Sequence, residues 1–276
     1  MKGLRIPVLT YHANNITGTA YAENDHTALK TDLNTLHEHG FQVIPLLWVA
    51  EWVQGKRNLG ELNNGKLVAI SCDDGLNLDY ESGNFLDQGQ QPGFFQILQS
   101  FIDEVGKERQ PHAHLTSFVI ASPKARRAIE SHSLEGQQLM SDKWWKAASD
   151  SPLFSIENHS WDHRHPAIYD HREADFRNIN CETLADQQIL FAGQQITKNT
   201  GLDCQLFCFP FGQYNEYLIK QYLPEQQQKH QLTGAFSCDP KAVTRDSNPW
   251  CLPRFVCGLH WQSTADLTQL VLGITD

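Results

Sequence analysis

Short apolar segments alternate along the chain with longer segments in which hydrophobic residues recur every three or four positions. Leu29, Leu33 and Leu36 show the second pattern, which is typical of one face of an amphipathic helix that ends at Gly40. The apolar segments, rich in Val, Ile and Phe, predict strands at residues 5–10, 41–47, 66–72, 116–121, 155–158, 205–209, 235–237 and 253–256. Helices are predicted at residues 29–40, 94–105, 142–148, 184–197 and 216–222. This alternation of strands and helices predicts an α/β fold with a parallel sheet or barrel.

Two stretches between these elements show neither pattern. Residues 76–93 are rich in Gly, Asn and Gln and predict an irregular loop, and residues 122–140 predict an insertion without regular structure. The sequence has no internal repeat and no linker long enough to separate two folding units. A length of 276 residues suits one α/β barrel, so residues 1–276 are predicted to form a single domain.

Polar side chains lie directly after several of the predicted strands. Those positions are Tyr11-His12, Asp73-Asp74, His159–His163 and Phe211-Gly212. In a barrel of parallel strands, such positions converge on the carboxyl-terminal face, where active sites are built. An open doubly wound sheet has the same rhythm of elements, so the placement of these polar residues is what favours a barrel.

The composition narrows the class of function. A formal net charge of −10 argues against nucleic acid and anionic membranes as partners, because both require a basic surface. Seven cysteines without a Cys-x-x-Cys pair are expected to be reduced thiols. No signal peptide is visible, and no apolar run approaches the roughly 18 residues of a membrane span. A cytoplasmic protein is therefore expected, or a secreted one if an upstream leader is missing; the oligomeric state stays open.

Asp73 and Asp74 end a buried-type strand that runs into Gly75. Successive side chains of a strand point in opposite directions, so one carboxylate can bind a cation while its neighbour stays free as a base. The alternative is an Asp-Asp-Gly turn without function, since Asp hydrogen-bonds its own backbone and Gly accepts positive φ.

His159 and His163 form the second candidate feature. Two imidazoles four residues apart, supported after a strand by a turn, can face one ion. Imidazole and carboxylate together are a normal ligand set for zinc, with a fourth position left for water or substrate. His165, two residues further on, is an alternative partner, and a chain with 13 histidines contains such spacings by chance.

The third feature is the segment 208–212, in which a strand breaks at Pro210. Such a break can place an aromatic ring, Phe211, and its backbone N–H at the end of the sheet. The N–H can then donate to a developing oxyanion, and both residues can line a substrate pocket. An ordinary strand-to-helix turn is the alternative.

Taken together and in this order, the three features resemble the motifs of the polysaccharide deacetylase (NodB-homology) family. Residues 71–75 resemble its T-F-D-D-G motif, residues 159–163 its H-[ST]-x-x-H motif, and residues 208–212 its R-x-P-[YF]-G motif. Residues 8–12 and 115–120 also look like two strands of that family. The resemblance spans roughly residues 6–256.

The resemblance implies a distorted (β/α) barrel of about seven strands, of the NodB-homology type, that removes an N- or O-linked acetyl group from a carbohydrate. It implies that Asp74, His159 and His163 hold a divalent metal, for which zinc is expected. Asp73 is then the general base, and the backbone N–H of Phe211 helps to bind the oxyanion. The expected partner is an acetylated carbohydrate.

Two departures from the family pattern concern the base and the acid. Cys208 stands where the third motif has an arginine, and Arg254 on the last predicted strand is the candidate for supplying that charge. If so, Arg254→Ala is expected to shift the acidic limb of the pH–rate profile. A late Leu-x-His motif is not evident, which leaves His260 and His12 as alternative general acids.

Trp161, inside the histidine motif, is a candidate sugar-stacking residue, although large aromatic side chains more often pack in the core.

Three rival functions stay open at this point. Non-heme Fe(II) oxygenases use two histidines and one carboxylate, but they place the carboxylate close to one histidine in sequence. A non-catalytic carbohydrate-binding relative would explain the altered third motif, although an intact Asp73 argues against it. A hydrolase of a non-sugar amide would use the same site residues.

Overall fold

The computed structural model describes residues 3–170 and 172–275. Its strands are β1 (Arg5–Ile6), β2 (Val8–His12), β3 (Gln42–Ile44), β4 (Leu67–Asp73), β5 (Gly83–Asn84), β6 (Gln90–Gln91), β7 (Leu115–Val119), β8 (Phe154–Asn158), β9 (Leu206–Cys208), β10 (Gly234–Phe236), β11 (Val243–Thr244) and β12 (Phe255–Val256). Its α-helices are α1 (Asp25–Glu38), α2 (Leu46–Val53), α3 (Phe94–Val105), α4 (Pro123–Ser133), α5 (Trp145–Ser149), α6 (Glu182–Ala185), α7 (Phe191–Thr200), α8 (Leu223–Glu225), α9 (Gln227–His230) and α10 (Thr264–Thr275).

Eight parallel strands form the central sheet. Seven follow one another in the order β10-β9-β8-β7-β4-β2-β12, and β3 pairs with β4. The two ends of this row meet, because Leu252, just before β12, bridges to Phe236 of β10. Phe255 of β12 in turn pairs with Leu9 of β2. The predicted fold, a distorted α/β barrel of about seven strands, is confirmed.

Burial in the core accounts for the apolar residues of the strands and of the first helix. All seven residues of β4 are buried, as expected for a parallel strand covered on both faces. Leu29, Leu33 and Leu36 of α1 are also buried, so the predicted helical stripe faces the barrel.

Two predictions of local structure were wrong. The strand predicted at 41–47 ends at Ile44, since Pro45 caps α2 with a φ of −56° that suits a helix start. Residues 122–140 are not an irregular insertion, because they contain α4. Ser122 caps this helix, its hydroxyl accepting the Ala125 N–H at 3.2 Å, and Pro123 occupies the first turn.

None of the helices within residues 3–170 and 172–275 is long and apolar enough to cross a lipid bilayer. All seven cysteines lie in this part of the chain and are free thiols.

Candidate metal-binding active site

Three side chains from two strand ends converge on one point. Oδ1 of Asp74, just after β4, lies 3.6 Å from Nε2 of His159 and 3.5 Å from Nε2 of His163. Both histidines lie in the loop after β8 and are buried. One ligand atom from each of the three residues lies within 4.8 Å of the others, which is the spacing of a shared cation site. The structure thus brings together all three predicted metal ligands.

The backbone reaches this arrangement through unusual conformations. Asp74, Ser160 and His163 have φ values of 78°, 72° and 62°, a region that non-glycine residues rarely adopt. Gly75 also has positive φ, and a Cβ there would lie 2.7 Å from Cβ of Val119. The glycine of the Asp-Asp-Gly sequence therefore lets the loop pass close to β7.

The two histidines are suited to bind a metal as neutral imidazoles. Burial lowers the pKa of both His159 and His163, so neither carries a proton on both nitrogens at neutral pH. Nδ1–H of His159 donates to the carbonyl oxygen of Cys208 at 3.0 Å, which leaves the lone pair of Nε2 facing Asp74. The donor set fits a divalent cation such as zinc.

A second group of side chains that could bind a metal is already in contact with an arginine. Asp73, His159 and Cys208 also lie within 4.8 Å of one another. Nη2 of Arg254, however, lies 2.7 Å from Oδ2 of Asp73 and 2.8 Å from Sγ of Cys208. The guanidinium fills this position and repels a metal ion, which leaves the Asp74 group as the candidate metal site.

Asp73 is held by Arg254 through two hydrogen bonds. Nη1 donates to Oδ1 at 2.8 Å and Nη2 to Oδ2 at 2.7 Å, in the bidentate arrangement that guanidinium and carboxylate favour. Arg254 is fully buried and also donates from Nε to the carbonyl oxygen of Ser237. Burial alone would raise the pKa of Asp73, but the charge and hydrogen bonds of Arg254 outweigh it and hold that pKa well below its usual range. Asp73 is therefore a carboxylate.

Cys208 makes room for this arginine. It ends β9 in the position of the motif-three arginine, and its thiol lies 3.5 Å from Oδ2 of Asp73. Arg254 reaches the same carboxylate from the segment before β12. Arg254, predicted from the sequence to supply the missing charge, is in direct contact with Asp73.

The two candidate general acids lie in different clefts. His12 ends β2 beside Asp73, its Cα partner in β4, and is half-buried. It lines a cleft with Asn14, Asn15, Leu259 and three further residues. Its backbone N–H donates to Oδ2 of the buried Asp25 at 2.8 Å.

His260 lies outside this cleft. Its Nδ1 accepts the N–H of Val256 at 2.7 Å and its ring packs against Phe255. It lines a separate surface cleft formed largely by α10 and the residues before it. Burial alone lowers the pKa of His260, without a contribution from a charged group among the described residues. The geometry therefore favours His12 over His260 as the acid.

The remaining predicted residues have different surroundings. Pro210 is buried and starts the turn after β9, and Phe211 follows with 54% of its surface exposed. The Phe211 ring packs on His163. Trp161 is half-buried against the core, and its backbone N–H and carbonyl bond to Gln188 and Ser122. Trp161 thus ties the histidine loop to neighbouring segments, and its role in sugar stacking stays a prediction.

One residue near the site was missed in the sequence, and another was named only as an alternative ligand. Asp25 follows Asn24, the N-cap of α1, and this pattern signals only the start of a helix. His165 has its Nδ1 accepting the Ala167 N–H at 3.0 Å, and its ring stacks on Phe211. Its spacing from His159 was noted only as an alternative ligand position.

Comparison with known proteins gives one family and one fold. Residues 62–226, more than half of the chain, match the family model for polysaccharide deacetylase. No curated protein sequence matches the chain.

The solved structures similar to this chain include a deacetylase, PplD from Streptococcus pyogenes, in complex with acetate (14% identity, TM-score 0.67, 98% of this chain and 99% of that chain covered). Another is IcaB from Ammonifex degensii (17%, 0.66, 98% and 97%). A third is BC0361, a polysaccharide deacetylase from Bacillus cereus (16%, 0.61, 98% and 69%). At these identities the likeness is one of fold.

Proposed function

This chain belongs to the polysaccharide deacetylase family, and we propose that it hydrolyses an N- or O-linked acetyl group of a carbohydrate. One observation carries this proposal. The three converging ligands, Asp74, His159 and His163, lie next to a carboxylate, Asp73, that is not one of them and is held ionised by Arg254. A metal site with an adjacent separate base is what a hydrolase requires and a binding module does not.

Asp74, His159 and His163 would hold a divalent metal, and two imidazoles with one carboxylate favour zinc. When bound, such a cation supplies Lewis acidity for the acetyl carbonyl and for the attacking water. Asp73 accepts the proton of that water. Arg254 positions the base, because both carboxylate oxygens are fixed by its two N–H groups.

Attack of the water forms the bond to the carbonyl carbon and moves the carbonyl electrons onto its oxygen. The backbone N–H of Phe211, in the turn after β9, donates to that oxyanion. When the C–N or C–O bond to the sugar breaks, His12 gives its proton to the leaving atom. The products are acetate and the free amine or hydroxyl of the carbohydrate.

The cleft around His12 supports an uncharged substrate. Its lining combines the amides of Asn14 and Asn15 with the exposed side chain of Leu259, and none of its lining residues is Lys or Arg. Amides donate to and accept from sugar hydroxyls, whereas a polyanion would require cations. We therefore place the leaving sugar in this cleft.

Acetate release tests the proposal. The wild-type protein and Asp73→Asn are loaded with zinc, their metal content is measured, and both are assayed on acetylated chito-, xylo- and peptidoglycan-type oligosaccharides. We expect release by the wild type and a loss of at least a thousandfold in Asp73→Asn, with the metal content unchanged. Binding of an oligosaccharide without release by either protein would instead identify a non-catalytic carbohydrate-binding relative.

A further inference from the structure

The two metal-site histidines differ in what their second nitrogen contacts. Nδ1–H of His159 donates to the Cys208 carbonyl oxygen. Nδ1 of His163 is equally buried but has no hydrogen-bond partner among the described residues. A histidine that ligates a metal almost always donates its other N–H, which fixes both the tautomer and the orientation of the ring. Among the described residues, therefore, no oxygen orients His163 as the Cys208 carbonyl orients His159.

The Phe211 ring packs directly on the His163 ring. Its centroid is 4.4 Å from that of His163 and the two planes meet at 73°. Edge-to-face pairs of rings have centroid separations of about 4.5–7 Å, so this contact lies at the short limit of that range. A short, nearly perpendicular contact brings the edge of one ring directly onto the face of the other. An N–H directed at the face of a phenyl ring makes a weak hydrogen bond.

Phe211 combines an unfavourable backbone conformation with an exposed ring. Phe211 has a φ of 55°, which is unfavourable for a residue with a Cβ. More than half of this large apolar side chain is exposed, so the ring contributes little to the core. The ring also stacks on His165, with ring planes 28° apart, and the His163 and His165 rings are themselves 5.8 Å apart. The Phe211 ring is thus in contact with both histidines.

We propose that Phe211 is a positioning residue for the metal ligand His163, its ring face accepting Nδ1–H as the Cys208 carbonyl does for His159. This role rests on the metal centre of the proposed function. A ring face is a weaker acceptor than a carbonyl oxygen. His163 is thus the less firmly oriented of the two histidines, and the affinity of the site for metal depends on the phenyl ring.

Metal affinity, measured without substrate, tests this role. Metal-free protein is titrated with Zn²⁺ or Co²⁺ in competition with a chromophoric chelator. Phe211→Leu keeps an apolar side chain but removes the ring face, whereas Phe211→Tyr keeps the ring. We expect about tenfold weaker binding for Phe211→Leu, at the lower end of the effect of removing an outer partner of a metal ligand. Phe211→Tyr is expected to stay within twofold of the wild type.

Phe191→Leu is the matched control, because Phe191 is also an exposed phenylalanine, at 48%, and lies on α7 away from the metal ligands. It is expected to bind metal as the wild type does. Wild-type affinity in Phe211→Leu would overturn the role of the ring. If wild type and Asp74→Asn bound metal equally weakly, the metal centre itself, and with it the proposed function, would fail instead.

A spectroscopic measurement does not depend on any variant. In the zinc-loaded protein, the Nδ1 proton of His163 should resonate upfield because it lies over an aromatic face. The Nδ1 proton of His159, hydrogen-bonded to a carbonyl, should resonate downfield. Two downfield protons would show that His163 has found an oxygen acceptor and would overturn the proposal.

Discussion

The base side and the acid side of the candidate site are built in opposite ways. Asp73 and Arg254 are 3% and 0% exposed, and each oxygen of the carboxylate is bound by a guanidinium N–H. His12 is half-buried at the edge of a cleft, and it is held through its backbone, by Asp25. The base is fixed in a dry interior where charge interactions are strong. The proposed acid lines the cleft in which we place the leaving sugar, so its surroundings are open.

This contrast indicates which half of the site tolerates change. A buried ion pair cannot lose one partner without leaving an uncompensated charge. A half-exposed histidine can be replaced with little effect on folding, because water hydrates the space it leaves. Damage on the base side should therefore appear in stability as well as in activity, and damage on the acid side in activity alone.

The largest effect is expected when the base side is broken at Arg254. Arg254→Met should lower the free energy of unfolding by about 3–5 kcal/mol, because Asp73 is left charged and buried. Adding Asp73→Asn should restore part of that stability. The measurement is denaturant unfolding of both variants, with Arg126→Met as control, since its partner Asp142 is half-exposed and can be hydrated. Equal losses in the Arg254 and Arg126 variants would contradict the contrast.

The same variant should change the pH dependence of deacetylation. Arg254 lowers the pKa of Asp73, so without it the carboxyl keeps its proton to a higher pH. The acidic limb of the pH–rate profile should therefore move to higher pH in Arg254→Met. An unchanged limb would show that Arg254 does not act through Asp73.

The acid side is tested by comparing His12→Asn with His260→Asn. Loss of a general acid costs about a hundredfold or more in rate. We expect such a loss for His12→Asn, with unchanged stability, and activity within twofold of the wild type for His260→Asn. The loss should be greater for N-acetyl than for O-acetyl substrates, because an amine leaving group has more need of a proton. The reverse ranking of the two variants would make His260 the acid.

Glu157 offers a comparison with Asp73, because it is a buried carboxyl with no ion pair among the described residues. Glu157 on β8 accepts two backbone N–H groups, from Gln205 and Leu206, and burial raises its pKa to about 8. The folded protein keeps this proton while the unfolded chain loses it above its ordinary pKa. Stability should thus fall as pH rises from about 4.5 to 8, by up to about 1.4 kcal/mol per pH unit.

Glu157→Gln removes this proton exchange and should flatten that part of the curve. The measurement is the unfolding free energy of wild type and variant at several pH values between 5 and 8. A wild-type slope that persists in Glu157→Gln would assign the pH dependence to other groups.

The sequence predicted those parts of the molecule that depend on local pattern. Apolar runs predict the buried strands of the sheet. The Asp-Asp-Gly and histidine motifs lie at strand ends, in the turns that follow the strands. The role of Arg254 was also proposed from the last predicted strand, and that strand, β12, pairs with β2, the neighbour of β4.

Other parts depend on contacts that the pattern does not encode. His260 turns away from the site because its Nδ1 binds the N–H of Val256, four residues before it. The contact between Phe211 and His163 joins loops after two different strands, and neither residue type signals it. The helix α4 was missed because Ile129 is its one large aliphatic residue, and its cap at Ser122 is a weak signal in isolation.

The ion pair between Arg254 and Asp73 has a consequence for the way sequence signatures are used. The chemistry requires a guanidinium at one point in space, and here it reaches that point from a position 46 residues further along the chain than Cys208. A motif that demands arginine after β9 would discard this chain as defective, although the charge is present. In a distant family member, a motif residue that is absent from its usual position is not necessarily lost from the site. The structure should be inspected for a residue on another strand end whose side chain occupies the same volume.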